Sequence, residues 1–241
     1  PLDNETYGGS FLYHLDNNKV SIGFVIGLDY KNPYLSPYLE FQRFKHHPAI
    51  KKLLEGGRRI NYGARALNEG GVQSLPKLTF PGGMLVGCEA GFLNVPKIKG
   101  THLAMKSGMI AAQSIFENID KHDEISDFQT DIKQSWLWNE LYKVRNIRPS
   151  FKWGFWKAIA YSAIDTYIFR GNAPWTIDHH GTDHESLGNK DNYKEINYPK
   201  PDNIISFDRL TNVSFSGTNH EENQPCHLQL KDENAPIKTN F

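Results

Sequence analysis

Cysteine is almost missing from this chain: Cys88 and Cys226 are the only two among 241 residues. Two thiols cannot build a four-thiolate cluster, and they exclude a disulfide-stapled secreted framework. A Gly-rich βαβ fingerprint for the ADP half of a dinucleotide is missing as well. Neither sign of charge is in excess, with 27 Lys+Arg against 27 Asp+Glu and a net charge of zero. No basic patch stands out, which sets nucleic acid aside as a partner. No stretch of about 20 residues runs free of charge, so a spanning helix is not expected. The chain opens at Pro1 with no methionine, signal peptide or transit peptide, and the expectation is an internal stretch of a longer protein. What remains is ordinary for a folded protein, 39% hydrophobic and 22% charged, and long enough for one large or two small domains.

The most informative stretch runs from Phe80 to Phe116. A turn at Pro81-Gly82-Gly83 leads into a short apolar run, Met84 to Val86, bounded by Gly87, which predicts a buried strand. A long loop follows, and Thr101 stands where a helix N-cap is expected. Ala104, Gly108, Ala111 and Ala112 then fall on one helical face, predicting close packing along that stripe. A helix start carries unpaired N–H groups and partial positive charge. With Lys99 adding charge and Gly100 leaving the backbone bare, it suits a phosphate, a carboxylate or the N1/C2=O edge of a reduced flavin. A plain strand-loop-helix unit of an α/β protein gives the same pattern.

Elsewhere, Phe11 to His14 and Val20 to Leu28 flank the polar turn Asp16 to Lys19, predicting a β-hairpin with Gly23 and Gly27 in its second strand. Gly8-Gly9, flanked by Tyr7 and Phe11, marks a bulge, a turn or a bare backbone edge. Ser36-Pro37 and Pro48 open two short helices, the second closed by Gly56. His46 and His47 point about 100° apart on a helix, a poor metal pair. Arg65, Asn68 and Glu69 line either a polar site or a solvated loop. Residues 118–130 predict a polar surface connection, and Asp131 to Val144 a single helix with Ile132, Trp136, Leu141 and Val144 on its apolar side. Phe151 to Gly171 concentrates aromatics, including Trp153, Phe155, Trp156 and Tyr161 beside Ile159, interrupted by Lys152, Lys157, Asp165 and Arg170. That composition fits a helix-turn dipping into one lipid leaflet, with a buried core helix as the alternative. Asp178 to Glu185 gathers histidines and acids without a ligand-spacing signature, and no metal site is assigned there. Short strand-like runs are expected at Ile204 to Phe207 and His227 to Leu230. No nucleophile or acid–base triad is visible, so no catalytic residue is assigned.

The run GCEAGFLNVPKIKGTHLAMKSG resembles the second flavin-contacting segment of the electron transfer flavoprotein–ubiquinone oxidoreductase family. TYGGSFLYHL, NPYLSPYLEFQRFKHHP, LEGGRRINYGARALNEGG, SWLWNELYKVRNIRPS, YPKPD and SGTNHEENQP resemble further segments of that family in the same order. The resemblance implies FAD and a 4Fe-4S cluster as cofactors, the cluster's ligands lying outside this chain, with the ADP-binding fingerprint upstream of it. It implies main-chain contacts from Gly8 and Gly9 to a ubiquinone carbonyl, with Tyr7 and Phe11 as walls. It also implies Asn94, Lys99, Gly100, Thr101 and, more weakly, Asn68 beside the flavin. Related flavoproteins hold the ribityl chain with an acidic residue where this chain has Cys88, as this family also does, so the ribityl partner stays unassigned.

The implied fold is α+β or α/β, part of an FAD-linked reductase of the hydroxylase-like type. Its divisions would be a ubiquinone-binding β-rich subdomain at 1–79 and the second half of the FAD domain at 80–150. A membrane-inserting segment at 151–171 and a loop-rich lead-in to an iron–sulfur domain at 172–241 would follow. The implied activity passes electrons from reduced electron transfer flavoprotein to ubiquinone. The implied partners are that flavoprotein, ubiquinone and membrane lipid, in monotopic docking on the matrix side of the inner mitochondrial membrane, or on the cytoplasmic membrane in a bacterium. Two alternatives stay open: a related prenyl-lipid reductase or hydroxylase, and a non-catalytic membrane-docking module.

Overall fold

A computed structural model describes residues 2–120, 124–179, 181–226, 229–230 and 232–234. The chain mixes short helices with two small antiparallel sheets. The hairpin forms where expected: β1 (Gly8–Leu15) pairs with β2 (Lys19–Ile26) from Gly8 opposite Ile26 to Leu15 opposite Lys19. Asn17 and Asn18 both take positive φ in the turn, which asparagine tolerates and which matches the strands' twist. Gly23 has a packing reason: a Cβ there would stand 2.1 Å from the Phe11 ring, which lies across it. Gly27 falls just past β2 and donates its N–H to the Tyr7 carbonyl at 2.8 Å.

Helices α1 (Pro37–Lys45) and α2 (Pro48–Leu54) start at the two prolines. Ser36 caps the first and His47 the second, each accepting a backbone N–H. His46 instead meets the Ser206 hydroxyl at 2.9 Å. The run after Pro81-Gly82 is not a buried strand. It is a two-residue hairpin, β3 (Thr79–Phe80) with β4 (Gly83–Met84), and Val86 is exposed, because no further strand lies beside it.

One helical turn, α3 (Gly87–Ala90), precedes the long helix α4 (Thr101–Glu117). Gly100, not Thr101, is its N-cap, and no side chain caps it. The buried face of α4 is Leu103, Ser107, Ile110, Ala111 and Ser114, so the small-residue stripe is not the packing face. A Cβ on Gly108 would meet nothing, and Ala112 is exposed. Close approach occurs at the helix start instead, where the Ser107 hydroxyl accepts the Gly87 N–H at 2.9 Å. Met105, Met109 and Phe116 form a second apolar stripe that faces outward.

The single helix expected over 131–144 is two, α5 (Asp127–Gln134) and α6 (Trp136–Lys143). Ser135 turns extended and its hydroxyl donates to the Ile132 carbonyl at 2.7 Å, a local bond that competes with helix continuation. The break shifts the apolar phase. Phe128, Ile132, Leu137 and Leu141 enter the core with Phe92 and Leu103, while Trp136 stays outside. The surface connection predicted to reach residue 130 therefore ends earlier, because Phe128 is fully buried; residues 121–123 of it lie outside the described residues.

The aromatic segment follows α7 (Ile147–Ser150) as a 3₁₀ turn at Phe151–Trp153, helix α8 (Phe155–Ala163) and a π-type turn at Ile164–Ile168. Beyond it the described residues are loop-rich, with 3₁₀ turns at Asp183–Ser186 and Lys190–Asn192 and a short helix, α9 (Arg209–Val213). Ile204 to Phe207 is no strand. Asp202 Oδ1 accepts the N–H groups of Ile204, Ile205 and Ser206 and wraps the run around its carboxylate. The second expected run cannot be placed, since residues 227–228 lie outside the described residues.

Arg145, after α6, ties these parts together. Its buried guanidinium donates to the carbonyls of Tyr142, Gly171, Ala173 and Trp175 and to the Thr176 hydroxyl, at 2.6–3.0 Å. Arg145→Met would leave those buried acceptors unpaired and is expected to cost about 3–5 kcal/mol. Urea unfolding of the variant beside wild type measures it.

Candidate functional site

The residues singled out by sequence fall into three groups. The first is the edge of β1. The Gly27–Tyr7 bond sets the ladder's phase, and with the observed register the odd-numbered residues of β1 bond to β2. In an antiparallel pair the alternate residues turn their N–H and C=O outward. Gly8, Ser10 and Leu12 therefore line the free edge. A Cβ on Gly8 would lie 2.3 Å from the Val25 carbonyl oxygen, whereas one on Gly9 would meet nothing within 4 Å. Gly8 is thus demanded by the sheet itself, and Gly9 leaves open space beside the exposed edge. Phe11 lies across Gly23 near Tyr13, at 5.5 Å between ring centroids.

Tyr7 anchors this edge. The Arg148 guanidinium stacks 4.1 Å from its ring, and Phe151 meets it edge-on at 5.0 Å. Arg148 also pairs with Asp29 at 3.0 Å in a half-buried ion pair. Burial pushes the Tyr7 hydroxyl up, and Glu69 nearby pushes it further.

The second group surrounds the start of α4. Asn94 is fully buried, and its amide is spent: Nδ2 donates to Glu140 at 2.8 Å and Oδ1 accepts the Lys97 N–H. Its backbone pairs in both directions with Lys99, so residue 94 braces the loop from within. Gly100 is buried because a Cβ there would stand 2.4 Å from Cys88 Sγ and 2.8 Å from Leu93. Lys99 and Thr101 are exposed, and the first N–H groups of the 17-residue helix have no side-chain cap. Asn68 reaches this region from the other side, its amide nitrogen 3.3 Å from where a Gly91 Cβ would be, while its oxygen accepts the Gly70 N–H. Arg65 in the same loop pairs with Glu89 at 2.9 Å.

Glu140 organises this loop, and the sequence reading passed over it. Its Oε1 accepts from Asn94, Lys97 and His102 at 2.8–3.0 Å. Burial pushes its carboxyl up, but hydrogen bonds from His102, Lys97 and Asn94 overcome that and hold it at about 2. The one available signal was an acid on α6, whose neighbours at i−3 and i+1, Leu137 and Leu141, are buried.

The third group is the aromatic segment. Trp153, Phe155, Trp156, Ile159, Tyr167 and Ile168 are exposed, Trp156 at 75% and Tyr167 at 81%. Tyr161 is half-buried and accepts the Trp175 indole N–H at 2.8 Å. Asp165 is turned inward towards Asn146 and Arg145. No helix among the described residues is long and apolar enough to cross a membrane. In the His-rich loop, His179 bonds the Gly70 carbonyl and Thr182 and Glu185 form a capping box, while residue 180 lies outside the described residues. No metal-binding group of three or more His, Cys, Asp or Glu occurs among the described residues.

The edge of β1 connects to the aromatic segment through a specific contact, Tyr7 to Phe151. Two cavities lie elsewhere. One, of about 390 Å³, is lined by Arg58, Arg59, Phe207 and Phe215, and the other, of about 200 Å³, by Val72, Leu78, Ile132 and Trp138.

Comparison with known proteins gives two family matches, "ETF-QO, ubiquinone-binding" over residues 1–67 and "Electron transfer flavoprotein-ubiquinone oxidoreductase, 4Fe-4S" over residues 203–241. Mitochondrial electron transfer flavoprotein-ubiquinone oxidoreductases are similar along the whole chain: 56% identical in Sus scrofa and 55% in Homo sapiens, each over 253 residues and 41% of the relative. In Oryza sativa subsp. japonica the figure is 52% over 241 residues and 42% of the relative. The chain thus spans about two fifths of the length of these curated relatives.

The low value of Glu140 carries a pH signature. A carboxyl depressed on folding stabilises above its unfolded value, 4.5, and loses that contribution as pH falls towards the folded one. Glu140→Gln is expected to cost about 2 kcal/mol at pH 7. Its deficit should shrink below pH 4.5 and vanish near pH 2, as followed by denaturant unfolding across that range.

Proposed function

We propose, since the chain belongs to the electron transfer flavoprotein–ubiquinone oxidoreductase family, that it builds the quinone-side edge and one flavin-side wall of such an enzyme. The enzyme passes electrons from reduced electron transfer flavoprotein to ubiquinone. The observation that carries this reading is the unpaired edge at Gly8 and Ser10, with open space at Gly9, inside the span matched by the ubiquinone-binding family model. A quinone is a flat ring with two carbonyls. A free strand edge meets it with one N–H and one C=O, and a missing side chain lets the ring lie close.

FAD fits the second group. The uncapped N–H groups of α4 suit the electron-rich edge of an isoalloxazine, and Thr101, Lys99 and Asn68 stand near them, while Asn94 and Gly100 shape the loop from behind. When bound, the flavin supplies the one- and two-electron chemistry, and the chain's task is position and polarity. The two cysteines do not fit a four-thiolate cluster, and Cys88 is packed beneath Gly100, so no step is assigned to a cluster through this chain's residues. The division at 1–79, 80–150, 151–171 and 172–241 is kept as part of this reading.

The exposed aromatic segment is read as a monotopic foot in lipid. Its rings favour the headgroup boundary, and the exposed Lys157 is long enough to reach back to phosphates. Relatives in pig, human and rice are named as mitochondrial, which supports a mitochondrial setting. The foot further suggests the inner membrane, approached from the matrix.

Two variants of the full-length enzyme test these assignments. Gly9→Val places methyl groups in open space beside the edge without touching the sheet. It is expected to lower kcat/KM for ubiquinone at least about tenfold, the loss of one contact of about 1.4 kcal/mol, with flavin content unchanged. Replacing Trp153, Phe155 and Trp156 together by Ser removes about 1.5 kcal/mol or more per side chain from lipid transfer. Liposome binding should fall about a thousandfold in a sedimentation assay; undiminished pelleting would place the docking surface elsewhere.

A further inference from the structure

The cavity of about 390 Å³ is built from two stretches far apart in the chain. The segment after α2 supplies Gly57, Arg58 and Arg59, and the loops flanking α9 supply Asn203, Phe207 and Phe215. The first stretch lies inside the span matched by the ubiquinone-binding family model, the second inside the span matched by the 4Fe-4S model. Neither the quinone edge nor the start of α4 contributes to its walls.

Arg59 is its fixed point. The guanidinium lies 4.0 Å from the centroid of the Phe207 ring and 4.1 Å from that of Phe215, so two aromatic faces hold it in place. Nη1 donates to the side-chain oxygen of Asn212, itself fully buried. The opposite edge is different: Nε is buried without a partner, and among the described residues no carboxylate pairs with the guanidinium. An unpaired donor on a buried guanidinium is costly, and the oxygen of an anion removes that cost.

A second cation stands behind the same ring. Lys45, at the end of α1, is only 6% exposed, and its ammonium makes no hydrogen bond or ion pair among the described residues. It lies 5.1 Å from the Phe41 ring centroid and 5.2 Å from that of Phe207. Phe207 therefore carries both charges, and they stand no further apart than their two distances to its centre allow. Burial, and then the charge on Arg59, pull the Lys45 ammonium down to about 8, with Asp202 opposing. Arg58 adds a third, exposed cation to the cavity wall. The acids of these segments are engaged elsewhere. Asp202 Oδ1 gathers the N–H groups of Ile204, Ile205 and Ser206, Asp208 caps α9, and Glu55 pairs with Lys51 at 3.9 Å.

We propose that this cavity is a phosphate-binding site, with the Nε–Nη2 edge of Arg59 as the receiving fork and Lys45 and Arg58 as supporting charges. A planar guanidinium edge matches two oxygens of one oxyanion, and it does so best when its side chain is already fixed. Three cations without a paired carboxylate favour a doubly charged oxyanion over a single carboxylate. Inorganic phosphate and the headgroup of an anionic phospholipid both present that chemistry. Because its walls come from both matched spans, a phosphate bound there touches the quinone-binding and the iron–sulfur stretches at once.

Equilibrium dialysis of the full-length enzyme against radiolabelled inorganic phosphate, at low ionic strength where screening is weak, provides the test. Wild type should bind phosphate at a single saturable site with Kd at or below about 1 mM. Arg59→Gln and Lys45→Met should each weaken binding about tenfold or more, and Arg58→Gln about threefold. Lys19→Gln, exposed on the hairpin, should leave it unchanged. Vesicles of phosphatidylcholine alone, and of equal parts phosphatidylcholine and phosphatidylglycerol, separate the two sources. Displacement of phosphate by the anionic vesicles alone identifies a lipid headgroup as the ligand; phosphate that stays bound with both identifies the free ion. Absence of saturable binding overturns the assignment, and is the result expected if a carboxylate from elsewhere in the full-length chain fills the cavity. Equal affinity in wild type, Arg59→Gln and Lys45→Met overturns it too. Should those two variants fail to fold, Arg58→Gln decides, since an exposed side chain can be exchanged without disturbing the rings; an unchanged Kd there sinks the site.

Discussion

A buried guanidinium holding the carbonyls of a returning loop is the constraint on which the rest of this chain depends. Among the described residues Arg145 has no carboxylate in direct contact; it satisfies its donors on main-chain oxygens between Tyr142 and Trp175 and on the Thr176 hydroxyl, and lies 3.9 Å over the Tyr142 ring. Buried charge is tolerated only when its hydrogen bonds are complete. Asn146 extends the same joint, bonding Trp175 O and Ile177 N, and Gln73 bonds the carbonyls of Arg145 and Ile177. Gly171 is required at that joint, with φ +75° and its would-be Cβ only 2.3 Å from the Lys143 carbonyl. The aromatic segment is therefore a loop clamped at its return, which lets it expose large apolar side chains without collapsing onto the core.

A similar economy of polar contacts shapes the start of α4. Glu140 gathers Asn94, Lys97 and His102 on one oxygen, fixing the 91–100 loop against α6. Gly100 then lets Cys88 and Leu93 pack beneath the helix start. What faces outward is backbone N–H and the short side chain of Thr101. The hairpin, for its part, is held through Tyr7, whose ring touches Arg148 and Phe151. One residue thereby ties the strand edge to the aromatic segment.

Local features were legible in the sequence wherever one chemical rule decided them. Asn17-Asn18 as a turn and Pro37 and Pro48 as helix starts follow from rules acting within a few residues. Features that depend on which of two options a neighbour selects were not. Ser135 is compatible with a continuous helix, and its break shows only once its hydroxyl finds the Ile132 carbonyl. Asp202 overrides a strand-like run because three N–H groups can converge on one carboxylate oxygen.

The sequence by itself determined the hairpin, the two proline-started helices, the long helix and the resemblance to a family, because these rest on short-range backbone chemistry and on strings of residues read in order. Tertiary structure alone decided which face of α4 is inner: both its Leu103–Ser107–Ile110 side and its Met105–Met109–Phe116 side are apolar enough to bury. It also decided that Asn94 braces a loop from inside and that Arg145 and Glu140 are the polar joints. Each of these turns on contacts between segments tens of residues apart, and no pattern within a single segment records which partner a charge will find.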